Sequence, residues 1–159
     1  MAQYRLTTLW QIDAPVERVY QAICQPARWP NWWWGVKDVV ELEPGDELGV
    51  GSLQRYTWKG FLPYALTFTI RVVRVKPAVA LEGIATGELE GSGRWRFSQQ
   101  GSTTSVCYEW RVRTVKGWMN LLAPVARPLF QWNHNVIMRE GGKGLARLLD
   151  ARLISLTQE

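Results

Sequence analysis

Between Gly35 and Val115 apolar and polar residues alternate in successive runs separated only by short turns, and this pattern constrains the fold more than anything else in the chain. The runs cover 36–42, 52–59, 64–75, 78–85, 90–98 and 104–115. In the third, Leu66, Phe68, Ile70 and Val72 alternate with Thr67, Thr69 and Arg71. In the fifth, Trp95 and Phe97 oppose Arg94 and Arg96; in the sixth, Val106, Tyr108, Trp110 and Val112 oppose Glu109, Arg111 and Arg113. A period of two is that of a strand with one buried and one solvated face. The connections, among them Pro44-Gly45-Asp46, Lys76-Pro77 and 99–102, are too short for crossovers, so the strands form an antiparallel meander. Such a sheet has one apolar face that another element must cover. In 78–85 the inward face is ambiguous: with Glu82 turned out to pair with neighbouring arginines, Ile84 faces out as well.

The covering element lies after residue 115. Residues 118–156 are helical in character, with a break or kink predicted near Pro124 and Pro128, since proline cannot sit smoothly inside a helix. Beyond it Phe130, His134, Met138, Gly141, Leu145, Leu148 and Arg152 recur at spacings of three and four and share a face. Gly141, Gly142 and Gly144 each cost about 1 kcal/mol relative to alanine in a helix. They serve either close approach to the sheet or open space. At the other end of the chain, residues 4–12 alternate as a strand. Asp13 then acts as a helix N-cap with Pro15 just inside the helix, and Val16, Val19, Tyr20 and Ile23 form its apolar stripe. A brief second helix or turn covers 27–32, shortened by Pro30. The expected architecture is α+β: a curved antiparallel sheet of about seven strands around a long C-terminal helix, with two short helices after the first strand. Residues 1–159 make one domain.

Ten tryptophans in 159 residues are unusual. Aromatic side chains line apolar pockets as well as filling cores, so the enrichment points to a cavity, against the alternative of a solid interior. The net charge of +5 is scattered over Arg71, Arg74, Arg94, Arg96, Arg111, Arg113, Arg139, Lys143 and Arg147. Nucleic-acid binders concentrate such charge in a patch, so no nucleic-acid partner is expected. Weak contact with an anionic membrane surface stays open, because Trp and Arg together suit an interface. Cys24 and Cys107 lack metal-site spacing and read as two free buried thiols. No signal core and no run near the roughly 20 residues of a membrane span occur, and a cytoplasmic location is expected.

The order of elements, together with Asp13-Ala14-Pro15-Val16-Glu17-Arg18-Val19-Tyr20, Trp29-Pro30-Asn31-Trp32-Trp33-Trp34-Gly35-Val36, Gly87-Glu88-Leu89-Glu90-Gly91-Ser92-Gly93-Arg94-Trp95 and Asn133-His134-Asn135-Val136-Ile137-Met138, resembles the START-like or SRPBCC superfamily. Within it, the chain is similar to the polyketide cyclase/dehydrase and lipid-transport group. The resemblance covers almost the whole chain and implies a helix-grip fold with a cavity for lipids, polyketides or other aromatic compounds. Some members are cyclases or aromatases and many only bind or carry, so the fold alone does not name a reaction.

The expected ligand-binding residues are Trp34, Tyr56, Trp58, Phe68, Ile70, Trp95, Phe97, Tyr108 and Trp110 on the strands and their approaches, with Phe130, His134 and Met138 on the helix. His134, the only histidine, is open to three readings: a structural hydrogen-bonding residue, a ligand contact, or an acid–base group. Asn133 points elsewhere on the helix. Trp29, Trp32, Trp33 and Trp34 form either a packing corner or the mouth of the pocket. Trp33 and Trp34 cannot both point inward along a regular strand, so at least one is partly exposed. No catalytic motif, cofactor motif or metal cluster is evident. The leading functional reading is binding or transport of a small hydrophobic ligand. The alternatives are a cyclase, aromatase or dehydratase using the same pocket, and a peripheral membrane or partner-binding module.

Overall fold

The structure, a computed structural model, describes residues 3–115, 117 and 121–159. The chain runs β1 (Gln3–Ile12), α1 (Val16–Ile23), a 3-10 helix (Pro26–Asn31), β2 (Val36–Glu43), β3 (Leu53–Trp58), β4 (Leu66–Lys76), β5 (Ala80–Gly87), β6 (Leu89–Gln100), β7 (Thr103–Thr114), α2 (Ala123–Leu148) and β8 (Leu153–Gln158). Among the described residues the strands form one sheet of eight, in the order β2-β3-β4-β5-β6-β7-β1-β8, and every pairing is antiparallel. The two short helices and α2 cover its apolar face.

Three local expectations are corrected. Asp13 is not the N-cap of α1. Pro15 holds that position, and the free Val16 amide donates to Gln99 Oε1 at 2.9 Å, so the β6–β7 hairpin caps the helix. The terminal helix stops at Leu148 rather than continuing to 156. After Asp150, at φ 50°, the chain turns and residues 153–158 pair with β1 as an eighth strand, which satisfies the backbone groups of an otherwise open edge. Arg152, assigned to the helix face, lies in this turn, and Leu148 is half exposed. Trp118, where the helical reading began, lies outside the described residues. Pro124 sits in the first turn of α2, where a missing N–H costs nothing, and Pro128 lies within the helix.

The outer face of the sheet absorbs much of the positive charge. Glu82 lies between Arg74 and Arg94, Glu109 pairs with Arg94 and Arg96, Glu90 with Arg113, and Glu43 with Arg71. Glu82 therefore faces outward and Ile84 does so with it, leaving Leu81, Gly83 and Ala85 inside. These exposed pairs contribute little stability individually, but across five strands they reinforce one register and disfavour its one-residue slip.

The helix docks through two indoles. Trp10 on β1 donates Nε1–H to the Met138 carbonyl at 3.1 Å, and Trp33 donates to the Ile137 carbonyl at 2.8 Å. Both tryptophans are almost wholly buried. The glycines of α2 make this approach feasible. A Cβ at Gly141 would lie 2.4 Å from Cε2 of Trp33, one at Gly142 3.0 Å from the Trp10 ring, and one at Gly144 1.8 Å from the Trp32 carbonyl oxygen. They thus serve close approach, not open space. Replacing Gly144 by alanine raises intrinsic helix propensity by about 1 kcal/mol. The collision is with backbone, which cannot move aside as a side-chain tip can, and its cost exceeds that gain. Gly144→Ala is expected to lower stability by about 2 kcal/mol net, read as a drop of about 5 °C in Tm.

Candidate functional site

The interior between sheet and α2 is not filled. A cavity of about 180 Å³ remains, walled chiefly by aromatic side chains. Its outline follows from two glycines. Gly83 and Gly93 are cross-strand partners on β5 and β6, both buried and both on the cavity wall. A Cβ at Gly83 would meet Ile70 Cγ2 at 2.5 Å, and one at Gly93 would meet the Tyr108 hydroxyl at 2.8 Å and the Trp110 ring at 2.9 Å. Neighbouring side chains therefore lean over a stretch of sheet that has none of its own, which is one use of glycine in a strand interior.

Around this floor the rings form a closed circuit of contacts. It runs from Trp33 to Trp29 (centroids 5.0 Å apart), Tyr56 (5.5 Å), Phe68 (5.9 Å), Trp110 (5.7 Å), Tyr108 (5.8 Å), Trp95 (4.2 Å) and back to Trp33 (6.1 Å). All seven line the cavity. Four of these contacts are tilted, two are stacked and one is edge-to-face, and at these distances aromatic pairs attract. From α2, Phe130, Asn133, His134, Ile137 and Met138 complete the wall. At the far end Cys24 and Leu48 belong to the lining and are also solvent-exposed, Leu48 at 55 %, so the cavity opens between the end of α1 and the turn before β3. Asp46 shapes that turn by accepting hydrogen bonds from the amides of Leu48 and Val50.

Of the residues expected at a ligand site, Tyr56, Trp58, Phe68, Ile70, Trp95, Tyr108, Trp110, Phe130, His134 and Met138 lie together on this wall. Trp34 and Phe97 do not. Trp34 is 38 % exposed and packs against Phe61 on the outside. Phe97 faces inward but is covered by Tyr20 of α1, at a centroid distance of 5.3 Å. The Trp-rich stretch is mainly a packing corner: Trp29 and Trp33 are buried in the wall, and Trp34, next to Trp33, points out. Asn133, placed off the site by periodicity, is buried on the wall and accepts from the Phe61 amide at 3.1 Å. Cys24 is exposed rather than buried.

The wall has few polar atoms. The Tyr56 hydroxyl donates to Gln54 Oε1 at 3.0 Å. Burial raises the pKa of Tyr56 and Tyr108 well above the usual phenolic range. His134 is pushed down to about 4, the whole cause being burial. Its Nε2 and the Nε1 of Trp58 are buried without a hydrogen-bond partner among the described residues. Among those residues no group of three His, Cys, Asp or Glu could hold a metal ion, and no helix is long and apolar enough to cross a membrane.

A histidine at about 4 in the folded protein and near 6.5 unfolded makes the unfolded state bind more protons between those values. The stability associated with neutral His134 is therefore present above about 6.5 and is lost as pH falls toward 4. Between pH 7 and pH 5 the protein is expected to lose about 2 kcal/mol more stability than a His134→Gln variant, measured by urea unfolding at each pH.

Comparison with known proteins agrees with this architecture. A crystal structure of the ZhuI aromatase/cyclase from Streptomyces sp. R1128 superposes with a TM-score of 0.76 at 15% identity, covering 94% of each chain. A START superfamily protein from Mycobacterium smegmatis gives 0.74 at 13% identity, covering 92% of this chain and 98% of that one. The di-domain aromatase/cyclase BexL of the BE-7585A biosynthetic pathway gives 0.71 at 22% identity; 94% of this chain is covered, and the chain spans about half of BexL (51%). No curated protein sequence matches the chain. These similarities establish a helix-grip, START-like fold. Residues 12–138 match the family described as polyketide cyclase/dehydrase and lipid transport, and the chain belongs to that family.

Proposed function

We propose that this protein binds or carries a small hydrophobic compound in the cavity between the sheet and α2. The observation that carries the reading is the void itself: about 180 Å³ walled chiefly by aromatic rings and left unfilled between the sheet and α2, where protein interiors are ordinarily close-packed. An apolar void of about 150 Å³ is enough to take up benzene, whereas pockets for drug-sized ligands span about 300–1,000 Å³. The volume therefore suits one or two fused rings, or a short acyl chain. The residues proposed to make the contacts are Tyr56, Trp58, Phe68, Ile70, Trp95, Tyr108, Trp110, Phe130, His134 and Met138. The two free thiols suit a reducing compartment, and a cytoplasmic location is part of the proposal.

The direct test is native mass spectrometry of protein purified from its own source, with thermal-shift titration of two-ring aromatics. A bound low-mass compound, or stabilisation of about 2.7 kcal/mol at a hundredfold excess over Kd, is expected. Absence of both would overturn the reading. Ile70→Phe, which puts a ring into the void, is expected to weaken binding at least about tenfold while keeping Tm within a few degrees.

Catalysis is the second reading of the same cavity, favoured by the likeness to aromatase/cyclases. Here shape and exclusion of water would direct ring closure, with neutral His134 as proton acceptor. The groups present fit holding better than turnover, because His134 and the tyrosines are shifted away from neutral pH rather than toward it. Product formation from a short poly-β-ketone that disappears in His134→Gln, with binding retained, would decide for catalysis.

A separate observation favours membrane contact. Leu122, Val125, Leu129 and Trp132, spaced three, four and three residues apart, are about half or more exposed at the start of α2, and Trp132 meets the exposed Phe61, which meets Trp34. Lys37 Nζ stands 5.7 Å above the Trp34 ring. Apolar and aromatic groups beside cations suit the interface of an anionic bilayer. Co-sedimentation with phosphatidylglycerol-containing vesicles is expected, falling at least about threefold in the Phe61→Ala/Trp132→Ala double variant and at high salt. Sedimentation indifferent to both changes would remove this reading.

A further inference from the structure

Two residues of the cavity wall carry a buried nitrogen that needs a partner. Trp58 Nε1 and His134 Nε2 both belong to cavity-lining residues, both are buried, and neither has a hydrogen-bond partner among the described residues. Native proteins leave few such groups, and each costs about 1–3 kcal/mol when unsatisfied. The other tryptophans that anchor the fold show the usual arrangement: Trp10, Trp29 and Trp33 each donate to a backbone carbonyl. Among the described residues Trp58 Nε1 has no such carbonyl, and its residue belongs to the cavity wall. An indole N–H can only donate, so whatever satisfies Trp58 must accept. Imidazole Nε2 can donate to the same kind of atom when it carries the ring's proton.

Charge narrows the class further. Among the described residues no lysine or arginine lines the cavity. Glu82, the one acidic residue among its lining, has its carboxylate taken up by Arg74 and Arg94. An anionic guest would lose its hydration shell with no counter-ion, at a cost far above that of a neutral polar group. We infer that the compound held here is uncharged and carries a hydrogen-bond acceptor, a carbonyl or ether oxygen, that engages Trp58 Nε1–H and His134 Nε2–H while its rings lie among the aromatic wall. This rests on the reading of the cavity as a binding site and specifies the chemistry of its guest.

A matched set of two-ring probes separates the two claims. Wild-type protein is titrated with 2-acetonaphthone, its hydrocarbon counterpart 2-isopropenylnaphthalene, 2-naphthoate and 2-(trimethylammonio)naphthalene. The ketone is expected to bind at least about tenfold tighter than the hydrocarbon, the effect of one otherwise unpaired buried donor. The carboxylate is expected to bind weakest. In Trp58→Phe and His134→Phe the ketone-to-hydrocarbon ratio should contract toward one. Equal binding of ketone and hydrocarbon to the wild type would overturn the inference and leave the binding site standing, as an apolar pocket whose nitrogens are served by water. Preference for the carboxylate or the ammonium probe would overturn the uncharged assignment. If none of the four binds, the binding site falls and this inference with it. Because the wild-type ratio decides by itself, a variant that fails to fold does not weaken the test.

Discussion

Two indole N–H groups on two backbone carbonyls hold this architecture together. Trp10 and Trp33 reach α2 from opposite parts of the chain, one from the first strand and one from the turn before the second, and both end within one helical turn of Met138. The bonds are individually modest, worth about 1 kcal/mol each net. Their leverage comes from geometry: large flat rings can lie against the helix only where it lacks side chains, at Gly141, Gly142 and Gly144. The glycines lose helix propensity in return for contact area. Once the helix is seated there, its preceding turns form one wall of the cavity. Phe130, His134 and Met138 then face Gly83 and Gly93 across a gap that none of them fills.

Most of the strands were legible because their two faces have opposite needs. Arginines and glutamates on one side and Trp, Tyr and Phe on the other leave little freedom in register. The one ambiguous strand was resolved by Glu82, whose pairing with Arg74 and Arg94 turned Ile84 out. The final strand was not legible. Leu153 to Gln158 carries no strong alternation, and its structure depends on a vacant edge of β1 more than a hundred residues earlier. The cap of α1 was hidden for the same reason, since Gln99 comes from a distant hairpin.

The site was legible as a face but not as a volume. Alternation identifies which side chains point inward, and it brought ten of the twelve expected residues to one wall. It does not show which inward residues face space and which face another element. Phe97 points inward but ends under Tyr20, while Trp33, from an irregular turn, ends in the wall. The paired glycines Gly83 and Gly93 do not mark the hollow directly, because Ile70, Tyr108 and Trp110 occupy the space above them; they let those side chains lie close against the sheet.

The clamp on α2 is one-sided. Residues 137–144 are gripped by tryptophans, whereas the cavity lies mainly under the preceding turns, which are tied down by Asn133 to the Phe61 amide and by Arg127 to the Gln3 carbonyl and the Tyr4 ring. The preceding span is held by more scattered contacts, among them also Gln158 Nε2 on the Asn135 carbonyl and Phe130 against Tyr4. Pro128, which has no N–H to donate, leaves that span one internal hydrogen bond short. The roof of the chamber is thus anchored by its two indoles toward one end rather than along its length.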